Sequence, residues 1–262
     1  MLMANPPFIV EYQPHLCFST GYLSGFEALV RWEHPTHGRI SPANFIPIAE
    51  ETGLIIPLGA WVLKTACCQL KSWQDTFPRF KSPLIIAVNF SGKQLLQPNI
   101  VGEVAHILKK TGLAASCLRL EITESVLINN LTVAKTRLKE LSQLGIQLAI
   151  DDFGTGYSSL ARLREFEVDV LKIDQSFIHQ MQALDENTEF IKAIIELGHS
   201  LNMSINAEGI ETPSQLSNLK KLGCDEGQGL LFSRSLPPHP AEKLIAESVR
   251  GNSHLTKLLT TA

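Results

Sequence analysis

Two adjacent carboxylates, Asp151 and Asp152, follow the apolar run Ile146-Gln147-Leu148-Ala149-Ile150 and precede the glycine-spaced segment Phe153-Gly154-Thr155-Gly156. Like charges side by side at a strand end repel unless a cation holds them together, and carboxylate oxygens favour a hard divalent metal. An isolated Asp-Asp would ordinarily be an Asx turn capping the helix that starts near Ser158. The rest of the chain argues otherwise. Asn89 follows Val88, Glu121 follows Leu120 with Glu124 three further on, and Lys172 follows Leu171 with Asp174 close behind. Glu208 follows Ala207 with Glu211 three on, Gln228 sits in the last apolar segment, and Glu27 interrupts the second. Each alone has an ordinary role as a cap, a turn or a snorkelling lysine. Together at the mouth of one core they are unfavourable without compensation, and one lysine cannot neutralise them. Two divalent cations bridged by Asp151 would do so, and a pair roughly 3.5–4 Å apart suits in-line displacement at phosphorus.

The elements that must position these groups alternate regularly. Phe8 to Pro14 and Leu23 to Trp32 read as two strands joined by the short gap around Ser19-Thr20-Gly21, an antiparallel hairpin. Ser41-Pro42 opens a helix that Gly53 stops, and an amphipathic helix runs from about Leu58 to Trp73. Further strands are expected at Leu84–Val88, Leu118–Ile122, Ile146–Ile150, Val168–Leu171, Met203–Ala207 and Glu226–Leu231. Between and after them lie helical patterns ending near Lys110, at Thr132–Leu144, Ser158–Arg164, Glu189–Leu201, Thr212–Gly223 and Pro240–Val249. Short strands alternating with helices point to parallel pairing, and a count near eight points to a closed α/β barrel, with an open doubly wound sheet as the alternative. In such a barrel the C-terminal strand ends share one face.

Composition narrows the chemistry. With 262 residues, 44% of them hydrophobic, the chain has ample core without disulfide staples. Five cysteines with no C-x-x-C, two of them the neighbours Cys67 and Cys68, read as reduced thiols filling core positions. No histidine pairing of zinc type occurs. A net charge of −3 gives no reason to expect a nucleic-acid polymer, although a local site can still hold a small anion. No stretch is long and apolar enough to cross a membrane, and Met1 to Pro7 lacks the regions of a secretion signal. Gly154-Thr155-Gly156 lacks the lysine and spacing of a P-loop. The expected location is the cytoplasm, as a domain by itself or the cytoplasmic part of a longer, membrane-tethered protein, with no membrane contact by the domain itself.

Seven segments then carry a resemblance. Glu27-Ala28-Leu29, Val88-Asn89-Phe90-Ser91, Glu121-Ile122-Thr123-Glu124, Asp151 to Leu160, Lys172-Ile173-Asp174, Ala207-Glu208-Gly209-Ile210-Glu211 and Gln228-Gly229, in this order, closely resemble the EAL domain family of cyclic di-GMP phosphodiesterases. The likeness spans residues 8–249, leaving 250–262 as a tail expected to be poorly ordered. It implies a modified TIM-like (β/α)8 barrel whose first strand is antiparallel to its neighbour. It also implies hydrolysis of one phosphodiester of cyclic di-GMP to linear pGpG with two Mg²⁺ or Mn²⁺ ions.

By the same resemblance Glu27, Asn89, Glu121 and Asp151 hold one ion, and Asp151, Asp152 and Glu208 the other, with the attacking water between them. Lys172 orients or activates that water and stabilises charge in the transition state, Gln228 holds a metal-bound water, and Glu124 fixes the loop after Asp152, with Asp174 and Glu211 also supporting. Arg31, on the strand face of Glu27 and Leu29, is similar to the family's phosphate-contacting arginine, and Gln13 to a substrate-contacting residue. Leu230 and Ser235 depart from the family's usual tyrosine and proline, which bears on the guanine pocket and the last loop. The resemblance further implies a homodimer through the loop and helix after Asp152, around Thr155 to Leu160 and Tyr157. Two other readings stay open: a catalytically inactive EAL domain that acts as a cyclic di-GMP receptor, and a partner-binding module whose function lies in the helices. An intact ligand set favours catalysis.

Overall fold

A computed structural model of the chain describes residues 7–78, 80, 83–124, 126, 131–154, 166–181 and 186–250. The expected helix at Ser158–Arg164, the expected dimer segment at Thr155–Leu160 and residues 251–262 of the tail lie outside them. The strands are β1 (Phe8–Cys17), β2 (Leu23–His34), β3 (Gly38–Ile40), β4 (Ile85–Asn89), β5 (Leu118–Thr123), β6 (Gln147–Phe153), β7 (Val170–Ile173), β8 (Ser204–Ala207) and β9 (Glu226–Gly227). The helices are α1 (Pro42–Thr52), α2 (Ile55–Thr76), α3 (Gly92–Leu95), α4 (Ile100–Thr111), α5 (Leu131–Gln143), α6 (Gln175–His179), α7 (Glu186–Ser200), α8 (Pro213–Lys221) and α9 (Pro238–Val249).

The sheet order β1-β9-β8-β7-β6-β5-β4-β2 closes through an extra β1–β2 pairing, with β3 appended to β2. From β2 through β4 to β9 every pair is parallel, whereas β1 is antiparallel to both its neighbours, with Phe8 opposite Trp32 and Cys17 opposite Glu226. This is the eight-stranded barrel with a reversed first strand that the sequence led us to expect.

Strand alternation divides the side chains into two sets. One set, including Tyr12, Phe26, Ile86, Leu120, Ile150, Leu171 and Ile205, is buried against the helices. Helix α2 answers it with Ile55, Gly59, Val62, Leu63, Ala66, Cys67, Leu70 and Trp73, spaced three or four apart on one face. The Trp73 ring lies 4.9 Å from Tyr12 and 5.0 Å from Phe26, so truncating it would cost about 3–5 kcal/mol. The other set points into the barrel and is polar to an unusual degree: Glu27, Arg119, Glu121, Asp151, Lys172 and Asn206 are all buried.

Several boundaries differ from the sequence expectation. Strand β7 begins at Val170 and includes Lys172, because a charged residue facing inward breaks the apolar run without ending the strand. Strand β9 is two residues long, so Gln228 lies just past it, and Leu230-Leu231 belong to a turn. Three short elements had no periodic signal to announce them: β3, α6 and α3, the last opened by a capping box of Ser91 with Gln94.

Candidate active site

Strands β2, β4, β5, β6, β7 and the loop after β8 bring Glu27, Asn89, Glu121, Asp151, Lys172 and Glu208 to one mouth. At its centre is Lys172, with no solvent exposure. Its Nζ lies 2.5 Å from Glu121 Oε2, 2.7 Å from Glu208 Oε1, 3.1 Å from Asp151 Oδ1 and 3.8 Å from Glu27 Oε2. Two amides complete the ring. Asn89 Nδ2 donates to Glu27 Oε1 at 2.6 Å, and Gln228 Nε2 donates to Glu27 Oε2 at 2.7 Å and Glu208 Oε1 at 3.1 Å.

Charge this dense sets the protonation of the site. Burial alone would strip the proton from Lys172, but Asp151, Glu121, Glu208 and Glu27 together hold its pKa well above the usual value. Burial also drives Glu121 far up, against the opposing pull of Lys172 and with added repulsion from Glu27, Asp151 and Glu208. Glu208 is pushed up to about 8 for the same reasons, burial first. Asp152, half-buried, is raised by burial and then by Asp151.

Consecutive strand residues normally point to opposite faces, so Asp151 and Asp152 need a local device to converge. The register of β6 with β7 is irregular between Ile150 and Phe153, and Asp152 has a left-handed φ of 55°, which aspartate tolerates better than most residues. As a result oxygens of Asp151, Asp152 and Glu208 all lie within 4.8 Å of one another. The loop that follows is tied down where Gly154 N donates to Glu124 Oε2 at 3.4 Å.

The loops carrying Glu208 and Gln228 are locked together by backbone bonds from Ile210 N to Gln228 O and from Leu231 N to Ile210 O. Only glycine fits at 229, because a Cβ there would sit 2.1 Å from the carbonyl oxygen of Ile210.

This donor set fits a hard divalent cation. The three clustered groups are all carboxylates, Glu121 Oε1 and Gln228 Oε1 are buried oxygens that lack a hydrogen-bond partner among the described residues, and among those residues no thiol or imidazole joins the cluster.

Two cavities flank the acids and share Leu29. One, of about 360 Å³, is lined by Gln13, Glu27, Asp151, Glu208, Gln228 and Leu230 among others. The other, of about 430 Å³, reaches from Asn89, Glu121 and Arg31 to helices α1 and α2. The structure thus brings together Glu27, Asn89, Glu121, Asp151, Asp152, Lys172, Glu208 and Gln228, with Gln13, Leu29 and Arg31 on the cavity walls. Two acids stand apart from the ring. Asp174 caps α6 through Ser176 N, and Glu211 faces His179 at 3.6 Å on the rim.

Comparison with known proteins agrees with this geometry. The family model described as "EAL domain" matches residues 2–235. The chain belongs to the EAL domain family. This EAL chain is 42% identical over 238 residues to the "Bifunctional diguanylate cyclase/cyclic di-GMP phosphodiesterase MucR" of Pseudomonas aeruginosa, covering 91% of this chain and 34% of that one. It is 43% identical over 236 residues to the "Cyclic di-GMP phosphodiesterase NbdA" of the same organism, covering 90% of this chain and 30% of that one. It therefore spans about a third or less of these relatives' length. The solved structure "PaMucR Phosphodiesterase, c-di-GMP complex" superimposes with a TM-score of 0.84 at 40% identity, covering 90% of this chain and 94% of that one. No described helix is long and apolar enough to cross a membrane.

Sequence reasoning missed Glu11 and Arg39, which with Ser235 surround Arg31, and His179 and Gln175 near the rim; Ser235 stood out only as a departure from the family's proline, not for this contact. Glu11 had a signal: with Gln13 and His15 it forms a polar alternation within a strand that is otherwise apolar.

Proposed function

We propose that this EAL chain hydrolyses one phosphodiester bond of cyclic di-GMP, releasing linear pGpG, with two Mg²⁺ or Mn²⁺ ions. The observation that carries the reading is the ring of Glu27, Glu121, Asp151 and Glu208 around Lys172, opening on two adjoining cavities. Two adjoining lobes suit a two-fold dinucleotide, one base to each, with one of its two phosphates between them. Glu27, Asn89, Glu121 and Asp151 would hold one ion, and Asp151, Asp152 and Glu208 the other. When bound, the ions supply Lewis-acid stabilisation of charge at phosphorus and a lowered pKa for water.

The chain's own groups do the rest. The Lys172 ammonium, held protonated by its carboxylate neighbours, sets a fixed cation behind the acid ring, where it would favour the negative charge that grows on the phosphoryl oxygens. Asn89 and Gln228 each commit an amide nitrogen to Glu27, which fixes the Glu27 carboxylate and leaves their amide oxygens as acceptors. Arg31 on one cavity wall and Gln13 on the other offer donors to the substrate. Leu29 and the apolar faces of α1 and α2 exclude water from one base.

The test is direct. Incubated with cyclic di-GMP and Mg²⁺ or Mn²⁺, the protein should yield pGpG on chromatography, and EDTA should stop it. Binding without turnover in either metal would make the chain a receptor instead.

A further inference from the structure

Glu11 is a carboxylate with 4% exposure on a strand whose outward side packs in the core. Its Oε2 accepts from Arg31 Nε at 3.0 Å and from Ser235 Oγ at 2.7 Å, while Ser235 Oγ itself accepts from Arg31 Nη2 at 2.9 Å. The three groups close a triangle that fixes the plane of the guanidinium. The other oxygen of Glu11 accepts from Arg39 Nη2 at 2.7 Å, and Arg39 is braced in turn by Glu33 Oε1 at 2.8 Å. Burial would raise the Glu11 pKa, but the hydrogen bonds from Ser235, Arg31 and Arg39 outweigh it and hold the carboxyl below the usual range.

A purely structural purpose would be to fasten the segment around Ser235 onto β1. That segment is already fastened by reciprocal backbone bonds between Tyr12 and Leu236 at 2.8 and 2.9 Å. A buried charge network is a costly way to repeat the task. What it does achieve is to hold Arg31 on the wall of the larger cavity, four strand residues or about 13 Å from Glu27. Hydrogens on Nη1 and Nη2 remain for a ligand. A free arginine would lose rotamer freedom on binding an anion, or fold toward the carboxylates of the mouth; a clamped one does neither.

We propose that Glu11 and Ser235 are positioning residues that aim Arg31 at a phosphate of the bound dinucleotide. This rests on the cyclic di-GMP reading above. Because the clamp acts on a ground-state contact, its loss raises KM and the dissociation constant and leaves kcat nearly alone.

The experiment measures cyclic di-GMP binding by calorimetry in EDTA, and kcat and KM in Mg²⁺, for wild type and for Glu11→Gln, Ser235→Ala, Ser235→Thr, Arg31→Ala and the double variant Glu11→Gln/Arg31→Ala. Glu11→Gln should weaken binding about tenfold and Ser235→Ala about threefold, with kcat within about twofold of wild type. Ser235→Thr, which keeps the hydroxyl, should restore binding, and Glu11→Gln should add nothing to Arg31→Ala. If Glu11→Gln does not fold, the Ser235 pair decides alone. An active wild type whose Glu11→Gln and Ser235→Ala forms bind as tightly, or lose kcat at constant KM, overturns this proposal and spares the functional reading. A wild type that neither binds nor cleaves cyclic di-GMP overturns both.

Discussion

The barrel interior is charged at both ends, and the two ends handle charge in opposite ways. At the floor, Arg119 is 2% exposed and pairs one to one with Glu226 at 3.0 Å, while its Nε donates to Gln147. His15, between floor and mouth, is kept neutral by burial and by the nearby Arg119 and Lys172 cations. The charges there balance. At the mouth one ammonium faces four carboxylates, and burial together with the repulsion among those acids raises the pKa values of Glu121 and Glu208. Buried charge that is balanced within the protein is architecture, and buried charge that is not balanced marks the place where a cationic ligand belongs.

The sharpest way to break this contrast is Asp151→Asn, which removes a charge from the cluster while keeping its shape. Hydrolysis followed by chromatography should fall by about 10³-fold or more, and the rise in melting temperature on adding Mg²⁺ should shrink. Next in size is Lys172→Met, which leaves the carboxylates without their cation. Denaturant unfolding in EDTA should lose about 3–5 kcal/mol, and divalent ions should recover more of it than they add to wild type. At the floor Arg119→Met alone should cost about 2–3 kcal/mol by stranding Glu226, yet Arg119→Met/Glu226→Leu should return close to wild type with kcat unaltered. If the floor double variant were inactive, the division between the two ends would fail.

The smallest effect concerns Glu11, whose folded-state pKa is depressed. Its contribution to stability is present above about pH 4.5 and is lost as the pH falls through the folded value. Melting curves from pH 6 to pH 3 should therefore fall less steeply in Glu11→Gln than in wild type.

The sequence revealed the mouth more fully than its supports. Asp151-Asp152 stood out because adjacent acids beside an apolar run are costly, and Glu27, Asn89, Glu121 and Glu208 because each breaks or ends such a run. The same polarity hid the strand limits: Lys172 looked like the residue after a strand and is inside one. Leu230-Leu231 looked like the end of β9 and is a turn, in which Leu230 lines a cavity at the rim and Leu231 packs against the core. The bulge that turns Asp151 and Asp152 to one side has no sequence signature in residue type. The Glu11 triangle was out of reach for another reason, since Ser235 lies 224 positions away and only barrel closure brings the two together.

The reversed first strand has one more consequence. With Phe8 beside Trp32 and Cys17 beside Glu226, β1 enters at the rim and runs down to the base, and Glu33 N donates to Pro7 O at the point of entry. Pro7 is thus held on the same strand edge as the arginines of the upper wall. Only three residues separate Pro7 from Glu11, so the point where the chain enters the barrel and the arginine clamp share one short stretch of strand.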